Sequence, residues 1–336
     1  MFIQNLRTVA LVICLLAVTF AGSGCASDKQ VIAQAADAHR ELNPAVITDP
    51  ALDTYIQTIG DRIVGTAREM HAQGFGPKAH KSEDSEWMFT GAQFHLVNSP
   101  TLNAFTTGGQ HVYLYSELFI TSKTEDEFAA VVAHEFAHIY GRHVQKGMNR
   151  QYTVIGAAAA AAVGGAVIAG EDNRMTGAMI GGGAGLVAGQ FIGMGFTRSD
   201  EDEADKIGFA FYTRTGYDPA RFGDFFQQMI DKGYDTTPEI ASSHPKLSNR
   251  VENAKRRVSE LPPIASQWRR PNVASSAQFV SFQARAKKFQ KSKPTDKALQ
   301  TAQLMLAAFP SCVAPLEQPS QTEARSRIAE ASKRQK

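Results

Sequence analysis

The chain has 336 residues, 43% of them hydrophobic and 20% charged, enough for one large domain or two ordinary ones with a real core, which excludes wholesale disorder and a collagen-like repeat. Its formal charge of +2 conceals an uneven split, because residues 253–336 carry 16 Lys/Arg against 5 Asp/Glu while the earlier part carries 19 against 28. An acidic body bears a basic tail, and three cysteines cannot build a disulfide framework.

The first segment reads as an address. Arg7 precedes an apolar run of about 12 residues, Val9 to Phe20, short for a bilayer span and right for the core of a signal peptide. The following Ala21-Gly22-Ser23-Gly24-Cys25 resembles a bacterial lipoprotein signal, although Gly22 stands where Leu is usual. That resemblance implies removal of residues 1–24 and lipidation of Cys25; an ordinary secretory signal cut nearby is the plainer alternative. With lipidation, Cys14 leaves with the peptide and Cys312 stands alone, so no intramolecular disulfide can form. Acyl chains at about 0.8 kcal/mol per buried methylene give firm attachment. Ala26 and Ser27 lack the Asp that retains lipoproteins at the inner membrane, which points to the outer membrane, facing the periplasm.

Asp49-Pro50 opens a helical pattern with Leu52, Ile56, Ile59 and Ile63 on one face. Residues 74–86 have loop composition. Two β-rich runs, Gln93 to Val97 and Gln110 to Tyr115, are separated by Asn98-Ser99-Pro100 and Gly108-Gly109, and predict a small antiparallel sheet. The class is α+β, mostly helical.

Thr124 and Glu127 then fit a capping box, and Phe128, Val131 and Val132 begin an apolar stripe, so a long helix starts here. It carries His134-Glu135-Phe136-Ala137-His138, the H-E-x-x-H pattern. Imidazoles at i and i+4 converge on one point at about 2.0–2.1 Å, the distance Zn²⁺ asks of nitrogen. Glu135, offset by one residue, is placed to take the proton of a water that zinc acidifies toward a pKa of about 7. A metzincin-type third histidine is one residue out of register, since Gly141 is correctly placed but His143 comes five residues after His138 instead of six. For His143 the spacing favours a solvated or hydrogen-bonded residue at the helix end.

Residues 156–195 contain 12 Gly and 11 Ala, which suggests a hairpin of two close-packing, small-residue segments. Alanine and glycine contribute little transfer energy, so a helical lid or lipid-touching hairpin over 153–196 is favoured over a membrane span. Downstream, Glu201 and Asp205 are again i and i+4. One carboxylate there can complete the metal's ligands while the other accepts the free N–H of a ligating imidazole. Spacing alone does not choose Glu201 over Glu203, and an acidic solvated helix start remains open.

Taken together, His134-Glu135-Phe136-Ala137-His138, Glu201-Asp202-Glu203-Ala204-Asp205, Thr215-Gly216-Tyr217-Asp218-Pro219, and His244-Pro245 with Arg250 resemble the HtpX-like and BepA-like zinc endopeptidases, relatives of the CaaX prenyl proteases. The likeness covers roughly residues 45–258. It implies a zincin-like peptidase domain over 25–260, with Glu201 as third zinc ligand and Asp205 as its outer-layer partner. It also implies that His244 and Arg250 stabilise the oxyanion, or that His244 plugs the open zinc position at rest. Asn103-Ala104-Phe105-Thr106-Thr107-Gly108-Gly109 resembles a family segment leading into the edge strand along which substrate lies. Asn103, Ala104, Phe105, Gly108 and Gly109 are thereby candidate substrate contacts, with an ordinary glycine turn as the plainer reading.

Residues 261–336 read as a basic helical extension, helix-compatible from Phe279 to Met305, ending in a disordered Pro/Ser/Gln/Lys-rich tail. Aromatics are not interleaved with its charges as nucleic-acid binding requires. The expectation is a lipid-anchored endopeptidase with one zinc per chain that hydrolyses unfolded or misassembled envelope proteins. The rival is an envelope chaperone or assembly factor whose zinc is structural or latent, closed by four protein ligands.

Overall fold

A computed structural model describes residues 26–76, 85–163, 191, 194–233, 245–270, 276–290, 297–309, 323–324 and 326–327. The expected signal peptide, Cys25, His244, Cys312 and residues 164–190 of the Gly/Ala-rich segment lie outside the described residues. Helix α1 (Asp28–Leu42) starts at Ser27, whose side chain accepts from the Gln30 amide. Helix α2 (Pro50–Ala72) begins at Asp49, whose carboxylate accepts from the amides of Ala51 and Leu52 at 3.1 Å each. Pro50 sits at the first helical position, where no donor is needed. Leu52, Ile56, Ile59 and Ile63 are all fully buried, so the apolar face read from the spacing is the face that packs.

A short helix, α3 (Trp87–Thr90), precedes the sheet. The sheet has three strands, β1 (Gln93–Val97), β2 (Ala104–Thr106) and β3 (His111–Tyr115), in the order β1-β3-β2. It is mixed, where the two runs read from sequence were expected to pair antiparallel. β1 runs parallel to β3, with Gln93 opposite His111 and Val97 opposite Tyr115, while β2 pairs antiparallel with β3. The physical reason is β2 itself: it returns the chain between the two runs, so both point the same way. β1 and β2 are therefore the edge strands, and β3, into which the Asn103 to Gly109 segment leads, is the central one. Gly108 and Gly109 make the turn with φ of 72° and 54°. They lie against α1, where a β-carbon would come within 2.8 Å of Val31 and Ala35 respectively.

Helix α4 (Ser116–Thr121) leads to α5 (Glu125–Tyr140). The Thr124 hydroxyl accepts from the Glu127 amide at 3.2 Å, while the Glu127 carboxylate accepts from Lys123, one residue before the cap, at 2.6 Å. The box thus closes one residue early. Every residue from Phe128 to Tyr140 is buried, so α5 is the central helix of the molecule and carries no solvent face. Helix α6 (His143–Val163) follows, and then α7 (Arg198–Thr215), which packs along α5. Their close approach depends on Gly208, where a β-carbon would stand 3.1 Å from the Ala133 carbonyl and from His134 Cα. Helices α8 (Asp224–Asp231) and α9 (Leu247–Ser259) pack on each other.

The C-terminal helices α10 (Ser276–Gln290) and α11 (Lys297–Ala308) lie on this body. Gln283 donates to the carbonyls of Phe119, Ile120 and Ser122 at 2.8, 3.2 and 2.7 Å, capping the end of α4. Arg285 pairs with Asp49 at 2.7 Å, and Phe282 stacks on Tyr55 at 4.2 Å. Phe309, just after α11, stacks on Phe105 at 3.7 Å, and the Tyr115 hydroxyl donates to the Leu306 carbonyl. Among the described residues no helix is long and apolar enough to cross a membrane.

Phe279 is fully buried, edge-on to Phe119. Phe279→Ala is expected to lower unfolding free energy by about 3–5 kcal/mol in urea titrations. A loss below about 0.5 kcal/mol, the scale of a surface change, would show that α10 does not belong to the folded core.

Candidate metal centre

Three helices bring the polar groups together. α5 presents His134 and His138 one turn apart, α7 presents Glu201 and Asp205 one turn apart, and α9 delivers Arg250. The sequence builds the start of α7 with a capping box not read from the chain: Thr197 accepts from the Asp200 amide, and the Asp200 carboxylate accepts from the Thr197 amide at 3.0 Å. This fixes the first turn, in which Asp200 and Glu201 are buried instead of solvated.

His134 Nε2 and His138 Nε2 lie 3.0 Å apart. Glu201 lies 3.3 Å from His134 Nε2 and 3.9 Å from His138 Nε2. All three side chains are within 1% of complete burial, and their donor atoms fall within 4.8 Å of one another. The other nitrogen of each imidazole is already engaged. His134 Nδ1 is 2.9 Å from Asp205, which Arg250 grips with two hydrogen bonds of 2.8 and 2.7 Å. The Arg250 guanidinium is stacked 3.9 Å from the centre of the Phe226 ring, and its Nη2 is 3.7 Å from Glu201.

His138 is held differently. Its Nδ1 is 2.8 Å from His143 Nδ1, and His143 Nε2 is 3.2 Å from the Glu203 carboxylate. A carboxylate only accepts, so His143 donates to Glu203 from Nε2 and accepts from His138 at Nδ1. That leaves the lone pair of His138 on Nε2, facing Glu201. Phe196 stacks on the His138 ring at 4.0 Å.

The electrostatics agree with this arrangement. Burial would push His134 down, but its hydrogen bonds to Asp205 and Glu201 outweigh that and hold it at about 9. Burial, and then the charge on His134, push His138 well below the ordinary histidine value. Burial works to raise Asp205, yet Arg250 and His134 bring it down to about 2. The group therefore favours positive charge at the point where two Nε2 atoms and Glu201 meet. Two nitrogens, one oxygen and engaged outer nitrogens fit the donor set of a catalytic zinc, which uses three protein ligands.

Of the residues proposed from sequence, His134, His138, Glu201, Asp205 and Arg250 meet here. Glu135 is fully buried beside them on α5. His244 lies outside the described residues. Asn103, Ala104, Phe105, Gly108 and Gly109 sit on and around β2, all buried; Asn103 is 3.5 Å from the Phe309 carbonyl. His143 is hydrogen-bonded, one of the two states expected of it, and fully buried; sequence reading missed that its partner is His138. It also missed Glu203 and Phe196. The available signal was the helix stop at Gly141. Arg142, next in the chain, takes a φ of 52° and is tied to Asp28 by contacts of 2.9 to 3.1 Å, which swings His143 back onto His138.

Comparison with known proteins adds a family. The model for Peptidase family M48 matches residues 52–258. The chain is 30% identical over 252 residues to a putative β-barrel assembly-enhancing protease of Vibrio cholerae, covering 73% of this chain and 47% of that protein. It is 30% identical over 243 residues to the β-barrel assembly-enhancing protease of Escherichia coli K12, covering 71% and 44%. To the mitochondrial metalloendopeptidase OMA1 of Saccharomyces cerevisiae it is 29% identical over 172 residues, covering 48% and 45%. The matched stretch thus spans less than half the length of each of these relatives.

His143→Ala is expected to weaken zinc binding about 10- to 100-fold, as loss of a ligand's outer partner does, in competition titrations with a chromophoric chelator. Affinity equal to that of the parent chain would show that His138 needs no such support.

Proposed function

Because the chain belongs to peptidase family M48, we propose that it is a zinc-dependent endopeptidase of the bacterial cell envelope, anchored through Cys25, that cleaves unfolded or misassembled envelope proteins. The observation that carries this reading is the convergence of His134, His138 and Glu201 in a fully buried group of three. Among the described residues three protein donors meet, the number a catalytic zinc uses, whereas a structural zinc takes four.

His134, His138 and Glu201 would hold the ion. Zinc, when bound, supplies Lewis-acid polarisation of the scissile carbonyl and acidifies water. Glu135 takes the proton of the attacking water and returns it to the leaving amine, the reason H-E-x-x-H carries a glutamate one residue from a ligand. Asp205 fixes His134 with its Nε2 lone pair toward the centre, and His143 does the same for His138. Arg250, committed to Asp205 by two bonds, organises the carboxylate and places a fixed positive charge beside Glu201. His244 is assigned to oxyanion stabilisation on the family resemblance.

Substrate pairing along Asn103, Ala104, Phe105 and the Gly108-Gly109 turn is assigned on the family resemblance alone; these residues are buried here, with Phe309 stacked on Phe105. The envelope assignment rests on the lipoprotein-like leader and on relatives named for the assembly of β-barrels, an architecture of outer-membrane proteins. Anchorage at the outer membrane on its periplasmic side follows from Ala26 and Ser27.

Glu135→Gln is expected to retain its zinc while hydrolysis of an unfolded protein such as casein falls by at least about 100-fold, the scale of general acid–base catalysis. Unchanged turnover would remove Glu135 from its role. Glu201→Ala is expected to bind one zinc fewer than the parent chain, and elemental analysis that finds the parent's full zinc content would refute its assignment as ligand.

A further inference from the structure

A second group of imidazoles stands apart from the centre just described. His39 on α1, His95 on β1 and His111 on β3 each offer a ring nitrogen, and these atoms lie within 4.8 Å of one another. The sheet register explains the meeting. His95 is opposite Tyr113 and Gln93 is opposite His111, so alternation places His95, His111 and Tyr113 on one face. Helix α1 stacks the His39 ring on both, its centre 4.4 Å from those of His95 and His111 and its plane 27° and 4° from theirs.

From this geometry we propose that His39, His95 and His111 form a second metal site, for a divalent transition ion that prefers imidazole, such as Zn²⁺, Cu²⁺ or Ni²⁺. The first argument is internal to the molecule. His95 Nε2 and His111 Nδ1 face each other at 3.0 Å, the same approach of two ring nitrogens that His134 and His138 make at the first centre. In a tetrahedral zinc site two ligating nitrogens stand about 3.4 Å apart, with the ion in the plane of each ring, so taking up an ion turns these rings out of their stack. The second argument is the outer partner. His39 Nδ1 is 3.1 Å from the Tyr113 hydroxyl, which orients the ring and leaves Nε2 for the metal, as Asp205 does for His134. The third is chemical: three imidazoles with no carboxylate in the donor set select borderline ions over calcium or magnesium.

The ion would clamp α1 to the central and outer strands of the sheet, on the side away from the β2 edge. The proposal does not depend on the peptidase reading, and the experiment separates the two. The mature chain is equilibrated with zinc buffered in the micromolar range, and bound metal is measured by elemental analysis. The expected result is two zinc ions per parent chain, one in His95→Gln/His111→Gln, one in Glu201→Ala, and a fall toward one in His39→Gln, which alters a partly buried helix position. Circular dichroism verifies the fold of each variant, and the double variant should also lose the part of the zinc-induced rise in melting temperature that Glu201→Ala retains. A parent chain that binds one ion, or variants of the three histidines that bind as many as the parent, would overturn the site. So would uptake of the second ion at millimolar zinc only.

Discussion

Buried charge between α5 and α7 is the constraint on which the rest of this molecule depends. Glu201 and Asp205 are 0% and 3% exposed, and a carboxylate taken from water costs several kcal/mol unless opposite charge and hydrogen bonds oppose that cost. Arg250 answers Asp205 with a two-point grip from α9. Glu201 faces two imidazoles, and this part of the interior is stable only with positive charge at that point. A proton on His134 supplies it in part, and a divalent cation supplies it better. The helix pair can close this tightly only because Gly208 has no side chain to hold α7 away from Ala133 and His134. A packing requirement and an electrostatic one thus coincide at a single crossing.

Around that crossing the fold provides each imidazole with its own outer partner, by two different routes. His134 uses a carboxylate from the helix that also brings Glu201. His138 uses another histidine, which leans on Glu203 and is turned into place by the break between α5 and α6. Both routes end with a lone pair on Nε2 directed at the same point. The strained backbone at Arg142 is compensated by its clamp to Asp28 on α1, so α1 contributes to the geometry of the centre without touching it.

Much of this was legible in the chain. The i, i+4 pairs on α5 and α7 need no tertiary information, since helical geometry alone superposes His134 on His138 and Glu201 on Asp205. The apolar face of α2 followed from its spacing, and the family resemblance drawn from four ordered motifs is the relationship that the comparisons find. Spacing alone did not choose between Glu201 and Glu203, both near the start of α7, and the family resemblance chose Glu201; in the structure Glu203 pairs instead with His143 and Lys146. The sheet order was not legible, since a strand as short as Ala104–Thr106 gives no periodic signal and its presence reverses the direction of pairing. The packing of α10 was hidden because its basic composition suggests a solvated extension while Phe279 is fully buried; α11 carries one charge, Lys297, and buries Ala302, Met305, Leu306 and Ala308.

The central claim is a coordination geometry, so the most direct measurement is anomalous diffraction from crystals of the zinc-loaded chain at energies above and below the zinc edge. The account predicts a peak that vanishes below the edge, at about 2.0–2.2 Å from His134 Nε2, His138 Nε2 and a carboxylate oxygen of Glu201. The absence of a peak there in metal-replete crystals, or a peak whose ligands do not include Glu201, would contradict it.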